Sequence, residues 1–204
     1  MADELTDIQG LALCRWARAS IAAALGGPRA TLLADGLPAR PGACFVTLRW
    51  SCIEAAGAPP TRLEPELQGC IGTLEAHRSL ADDVAANAVA AALRDPRGRP
   101  LRLTDLEALD VEVSVLGPLT LLPVRSEEEA IAALRPPTDG AVLRCGARRG
   151  TFLPQVWETL PKPRDFLQHL KRKAGLPALG WDPLYELLGY TVQKWKHPGR
   201  GSVG

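Results

Sequence analysis

The run DVEVSVL, residues 110–116, constrains the fold most. Val111, Val113 and Val115 alternate with Glu112 and Ser114, the period of two that marks a strand with one apolar face. Such a strand needs partners along its edges and a layer over its valines, with Glu112 and Ser114 turned to solvent. ACFVTLRWSCI, residues 43–53, alternates in the same way and would turn Cys44, Val46, Leu48, Trp50 and Cys52 to one side. EAAGAPPTRLEPE follows, with three prolines and a glycine, and reads as an exposed loop. It returns the chain to LQGCIG, residues 67–72, so these two segments form a long-looped antiparallel pair.

Helices fall between the strands. Thr6 and Gln9 make a capping box for a helix on which Leu11, Cys14, Ile21 and Leu25 share a face, stopped by Gly26-Gly27-Pro28. Ser79 caps a second helix, with Asp82 and Asp83 in its first turn, that runs to about Arg94. Its alanine-rich body suits close packing on a sheet, and Asp83, Asn87 and Arg94 read as a solvated polar stripe. Glu127 to Leu134 is a short helix, and GAVLRCGARRGTFLP is a hairpin turning near Gly146 to Arg148. Leu153 to Leu160 and Pro163 to Ala174 read as helices, and Tyr185 to Trp195 as a final strand. Hairpin-like pairs without a βαβ phosphate loop argue for an α+β fold with a mainly antiparallel sheet. The expected organisation is one unit over residues 1–196, with room for two lobes, and a flexible Gly-rich tail over 197–204.

Composition narrows the function. Formal net charge is +1, which gives no reason to expect nucleic acid or an anionic membrane as partner. MADELTDIQG is acidic and polar, unlike a leader, and no apolar run reaches the roughly 18 residues of a span. The expected location is the cytoplasm. Five widely spaced cysteines contain no C-x-x-C pair, so they read as reduced thiols; no metal site and no cofactor is expected.

Cys70 is the sharpest candidate for chemistry. A regular strand would put Gln68, Cys70, Gly72 and Leu74 on one face, with Gly72 leaving space beside the thiol. Gly69 and Gly72 could also turn backbone N–H groups outward to steady an oxyanion. A free thiol is only a few per cent ionised at neutral pH, and no histidine stands at an obvious distance to activate it. Cys70 therefore either reacts or lines a wall. A second cluster is RRGTFLPQVW, where Arg148, Arg149, Thr151 and Gln155 precede or open a helix and suit an anion. Lys171-Arg172-Lys173 read as cations complementing a helix C-terminus.

LQGCIGTLEA, DPRGRPL, VEVSVLGPL, RRGTFLPQVW and FLQHLKRKAGLP occur in the order found in one family. Over roughly Leu11 to Trp195 the chain resembles the AmmeMemoRadiSam system protein A family, the prokaryotic form of the AMMECR domain. The resemblance implies a barrel-like, mostly antiparallel sheet of two similar strand-and-helix repeats, with helices outside and a cleft near the Cys70 strand. The family's L-R-G-C-I-G signature falls on Leu67 to Gly72, with Gln68 where arginine is usual, and Gly98 stands where DPR usually ends in an aromatic residue. Gene neighbours of the family imply a Memo-like protein and a radical SAM enzyme as partners. The expectation is a small anionic ligand held by Gln68, Gly69, Gly72, Thr73, Arg149, Thr151 and Gln155, with Cys70 as nucleophile, redox thiol or wall. The alternative is a non-catalytic adaptor for those two proteins, and RNA binding is a distant third.

Overall fold

The computed structural model describes residues 4–28, 37–51 and 65–199. The end of the first expected strand, from Cys52, and most of the proline-rich loop after it lie outside the described residues. The chain forms two compact units, one from residues 3–116 and 193–204 and the other from residues 117–192.

In the first unit, α1 (Asp7–Ala24) and α2 (Leu80–Leu93) cover β1 (Cys44–Trp50), β2 (Leu67–Gly72), β3 (Leu109–Leu116) and β8 (Val192–His197). The sheet order is β2-β1-β3-β8, and β1 pairs antiparallel with both β2 and β3. Val46, Leu48, Val111 and Val113 face Leu13, Ile21, Val84, Ala88 and Ala91 of the helices in one core. Both expected caps form: the Thr6 hydroxyl accepts from the Gln9 amide, and Ser79 accepts from the Asp82 amide at 3.1 Å. The buried stripe of α1 is Gly10, Leu13, Cys14, Ala17 and Ile21, while Leu11 and Leu25 are only half-buried.

Two polar expectations are corrected here. Asp83 and Asn87 are buried, leaving Arg94 as the exposed end of their stripe. The Asp83 carboxylate offsets its lost hydration by accepting from the Cys44 amide at 3.0 Å, Asn87 Nδ2 at 3.0 Å, Arg78 Nε at 2.8 Å and the Thr73 hydroxyl. Ser114 is likewise buried, and Glu112, half-buried, pairs with Lys194 at 3.2 Å.

The second unit holds β4 (Thr120–Leu122), α3 (Glu127–Ala133), β5 (Gly140–Cys145), β6 (Arg148–Phe152), α4 (Val156–Thr159), α5 (Pro163–Lys173) and β7 (Glu186–Tyr190). Its antiparallel sheet runs β4-β7-β5-β6, and β5–β6 is the expected hairpin. Leu143, Leu187, Phe166, Leu167 and Leu170 form its core, with Phe166 stacked on Trp157 at 3.8 Å between ring centroids. The helix expected over 153–160 shortens to one turn. Lys171 is fully buried, not a solvated C-terminal cation; its Nζ donates to the Gly180 carbonyl at 2.6 Å and pairs with Glu127 at 3.2 Å.

The expected final strand is two strands. The ladder breaks at Thr191, so β7 belongs to one sheet and β8 to the other. β8 continues through His197, and the Gly199 amide donates to Asp110 at 2.8 Å, so residues 197–199 are held; residues 200–204 lie outside the described residues. The architecture is α+β with two four-stranded sheets in place of the single sheet expected.

Candidate functional site

β2 is an edge strand, and its glycines answer to packing. A Cβ on Gly69 would collide with the Ala91 carbonyl oxygen of α2, and one on Gly72 with the ring of Phe45. Neither glycine has a positive φ, so neither twists its amide toward a ligand in the manner expected for an oxyanion nook. The irregularity lies instead opposite Gln68, between Leu48 and Arg49 of β1. That bulge turns Gln68 to the helix side, away from Cys70. The Gln68 side chain is buried, accepts from Trp50 Nε1 at 3.0 Å and donates to the Arg99 carbonyl at 2.8 Å. Its amide therefore ties β2 to the loop after α2.

That same loop clasps Cys70. Asp95 Oδ2 accepts the Cys70 amide at 2.8 Å, and Arg97 Nη2 donates to the Cys70 carbonyl at 3.3 Å. Asp95 and Arg97 are themselves joined at 2.9 Å and 2.6 Å. The two backbone groups that an edge strand would leave open are thus bound by one ion pair. The Arg97 guanidinium holds the Asp95 carboxyl far below the usual carboxylate range, with the Cys70 and Arg97 amides adding to the effect.

The Cys70 side chain lies on the sheet face opposite the helices. The register places Cys70 beside Thr47, and Thr47 beside Glu112. The Thr47 hydroxyl donates to Cys70 Sγ at 3.2 Å, and Lys194 of β8 reaches Glu112. Cys70, Thr47, Glu112 and Lys194 therefore form a line with one residue from each strand. With strands about 4.8 Å apart, that line is about 14 Å long at the backbone. A second ion pair, Lys196–Asp110 at 2.6 Å, lies on the next row of β3 and β8. Asp110 also accepts from Ser51 at 2.6 Å, and these donors hold its carboxyl below the usual range against burial.

The described cysteines are free thiols in different states of access. Burial pushes the Cys14 thiol up to about 11, and its Sγ donates to the Trp195 carbonyl at 3.3 Å. Burial also raises Cys44, further opposed by the Asp83 charge, so both stay protonated at neutral pH. Cys70 is half-buried. The Thr47 hydroxyl donates to its sulfur and so orients it. His77 is exposed, its ring against the Glu75 carbonyl at 3.1 Å. Burial lowers His197, helped by the Arg18 and Arg15 charges.

The expected site residues divide between the two units. Gln68, Gly69, Cys70, Gly72 and Thr73 belong to β2 and its end; Arg149, Thr151 and Gln155 belong to the second unit. Thr73 is engaged with Asp83. Thr151 Oγ1 donates to the Ala141 carbonyl at 3.0 Å, and the register sets Arg144 beside Arg149. Gln155 precedes a four-residue helix, too short for an anion-binding terminus, and Trp157 is a core residue bonded to the Asp139 carbonyl at 2.7 Å. Sequence reading missed Thr47, Lys194, Asp95 and Arg97. Alternation in FVTLRW and VQKWK does put Thr47, Lys194 and Lys196 opposite their apolar neighbours, which was the available signal. Among the described residues, no group of three or more His, Cys, Asp or Glu is placed to hold a metal ion.

An α+β frame carrying a clasped Cys-bearing edge strand defines the class, and comparison identifies it. The AMMECR1 family model matches residues 14–195, and the chain belongs to that family. It is 32% identical to Protein MJ0810 of Methanocaldococcus jannaschii over 185 residues, 87% of this chain and 84% of that one. A protein of Methanothermobacter thermautotrophicus is 36% identical over 201 residues, 94% of this chain and 95% of that one. The crystal structure of uncharacterized protein PH0010 from Pyrococcus horikoshii superposes with a TM-score of 0.78 at 27% identity, covering 98% of this chain and 96% of that one. No helix among the described residues is long and apolar enough to cross a membrane.

Proposed function

We propose that this AMMECR1-family protein binds a small anionic molecule on the face of its first sheet opposite the helices, beside Cys70. The observation that carries the reading is the line of Cys70, Thr47, Glu112 and Lys194 across four strands. Lys194 receives the anionic group, Thr47 hydrogen-bonds the body of the ligand, and Cys70 meets its far end as contact, nucleophile or redox thiol. The clasp of Asp95 and Arg97 keeps that end of the line rigid. In the reducing cytoplasm Cys70 stays free for this role. A Memo-like protein and a radical SAM enzyme, the partners implied by family resemblance, would make or consume the ligand.

Native mass spectrometry of the protein from its own cell tests the reading. A bound small molecule should appear, and Lys194→Gln and Cys70→Ala should each lose it. Retention by both variants would place the ligand elsewhere. The adaptor reading draws on Leu179 and Leu184, which are 72% and 73% exposed around the half-buried Trp181. Co-purification of the two neighbour proteins, abolished by Leu179→Asp with Leu184→Asp, is its expected result.

A further inference from the structure

The two ion pairs on the face of the first sheet opposite the helices are not equivalent. Asp110 is saturated: Oδ1 accepts from Ser51 at 2.6 Å and from the Gly199 amide at 2.8 Å, while Oδ2 meets Lys196 at 2.6 Å. Glu112 meets Lys194 at the longer distance of 3.2 Å, and both side chains retain exposure, 24% for Glu112 and 41% for Lys194. The looser pair is the one in line with Thr47 and Cys70. A ligand with only a negative charge would take Lys194 and leave Glu112 beside it as an uncompensated like charge. A ligand carrying one charge of each sign replaces both halves of the ion pair at once.

We propose that the ligand of the Cys70 face is zwitterionic and amino-acid-like, its carboxylate on Lys194, its ammonium on Glu112 and its side chain directed past Thr47 to Cys70. This rests on the Cys70 face being the binding site. It refines the anionic group of that reading by adding the cation that Glu112 demands.

Three symmetric disulfides serve as probes of the full-length chain: cystine, whose halves carry both charges; cystamine, with ammonium only; and dithiodiglycolate, with carboxylate only. In each case the Cys70 thiolate attacks one sulfur, the S–S bond breaks, a mixed disulfide forms and the other half leaves as a thiolate that water protonates. Peptide-mapped mass spectrometry gives the rate at Cys70. Each rate is divided by that of the same reagent on the urea-unfolded chain, which removes intrinsic reactivity. Cystine should then be favoured severalfold over both other reagents. Glu112→Gln should move the preference toward dithiodiglycolate, and Lys194→Gln toward cystamine. Equal normalised rates in the wild type, or a ranking that neither variant changes, would overturn the zwitterion. If Cys70 resists all three reagents in the folded chain, the binding face itself falls along with its charge class. Labelling of the buried Cys14 and Cys44 exposes a misfolded variant, and the wild-type ranking then decides alone.

Discussion

Gln68-Gly69-Cys70 and Arg149-Gly150-Thr151 occupy matching positions, each on an edge strand with a glycine under a helix. A Cβ on Gly69 would strike the Ala91 carbonyl of α2; one on Gly150 would lie 2.8 Å from the Leu170 carbonyl oxygen and the Ala174 amide, at the end of α5. Both glycines let a helix descend onto a sheet edge. The residues beside them diverge. Thr151 spends its hydroxyl on the Ala141 carbonyl of the adjacent strand. Cys70 has its backbone held by Asp95 and Arg97, and its sulfur only receives a hydrogen bond from Thr47. Both strands thus admit a helix at the glycine, although only β2 carries a bulge beside it, and they differ in what the side chain of the third residue meets.

The largest expected effect tests the shared device. Gly69→Val and Gly150→Val should each cost about 3 kcal/mol or more, read by urea denaturation, because a helix backbone cannot yield to a branched side chain. Tolerance of one but not the other would break the parallel between the strands. Next comes the difference. Asp95→Ala should cost about 1–3 kcal/mol, since it leaves the Cys70 amide without its partner while Arg97 turns to solvent. Asp95 also gives a pH signature. Its folded pKa lies below its unfolded value of about 3.9, so its contribution is complete above that value and is lost as pH falls toward the folded pKa. The wild-type midpoint should therefore drop on acidification below about pH 5, and the drop should shrink in Asp95→Asn.

Smaller still, Thr151→Val should cost about 1 kcal/mol, the worth of one hydrogen bond. Cys70→Ala should cost about the same or less if the thiol is only packed. Loss of ligand from Cys70→Ala with no such loss from Thr151→Val would separate the two strands by function. Lys194→Gln should change stability by about 0.5 kcal/mol or less, as expected of a half-exposed ion pair, while reducing ligand retention. A large stability loss there would recast Lys194 as structural.

Local signals in the sequence were reliable where the cause was local. The Thr6 and Ser79 caps, the hairpin near Gly146 and the valine alternation of β3 rest on neighbours a few residues apart. What failed depended on distant chain. Asp83 and Asn87 look solvated until Cys44 and Thr73 supply donors to the carboxylate and the Cys44 carbonyl accepts from the Asn87 amide. Lys171 looks like a helix-end cation until the loop at Gly180 closes over it. The break at Thr191 is invisible because both flanking segments favour strand and differ only in which sheet receives them. At the candidate site, the glycines drew attention to Cys70, though they answer to the helix and to Phe45. The other half of the line was not legible, because Glu112 and Lys194 lie far apart along the chain.

Gln68 and Gly98 touch. A Cβ on Gly98 would collide with the Gln68 carbonyl oxygen and sit 2.7 Å from its Nε2. Neither residue is free to drift alone: an arginine at 68 would bring a charge into a site where Trp50 and the Arg99 carbonyl suit a neutral amide. Positions 68 and 98 thus behave as one packing unit, in which a larger side chain at either demands an adjustment at the other.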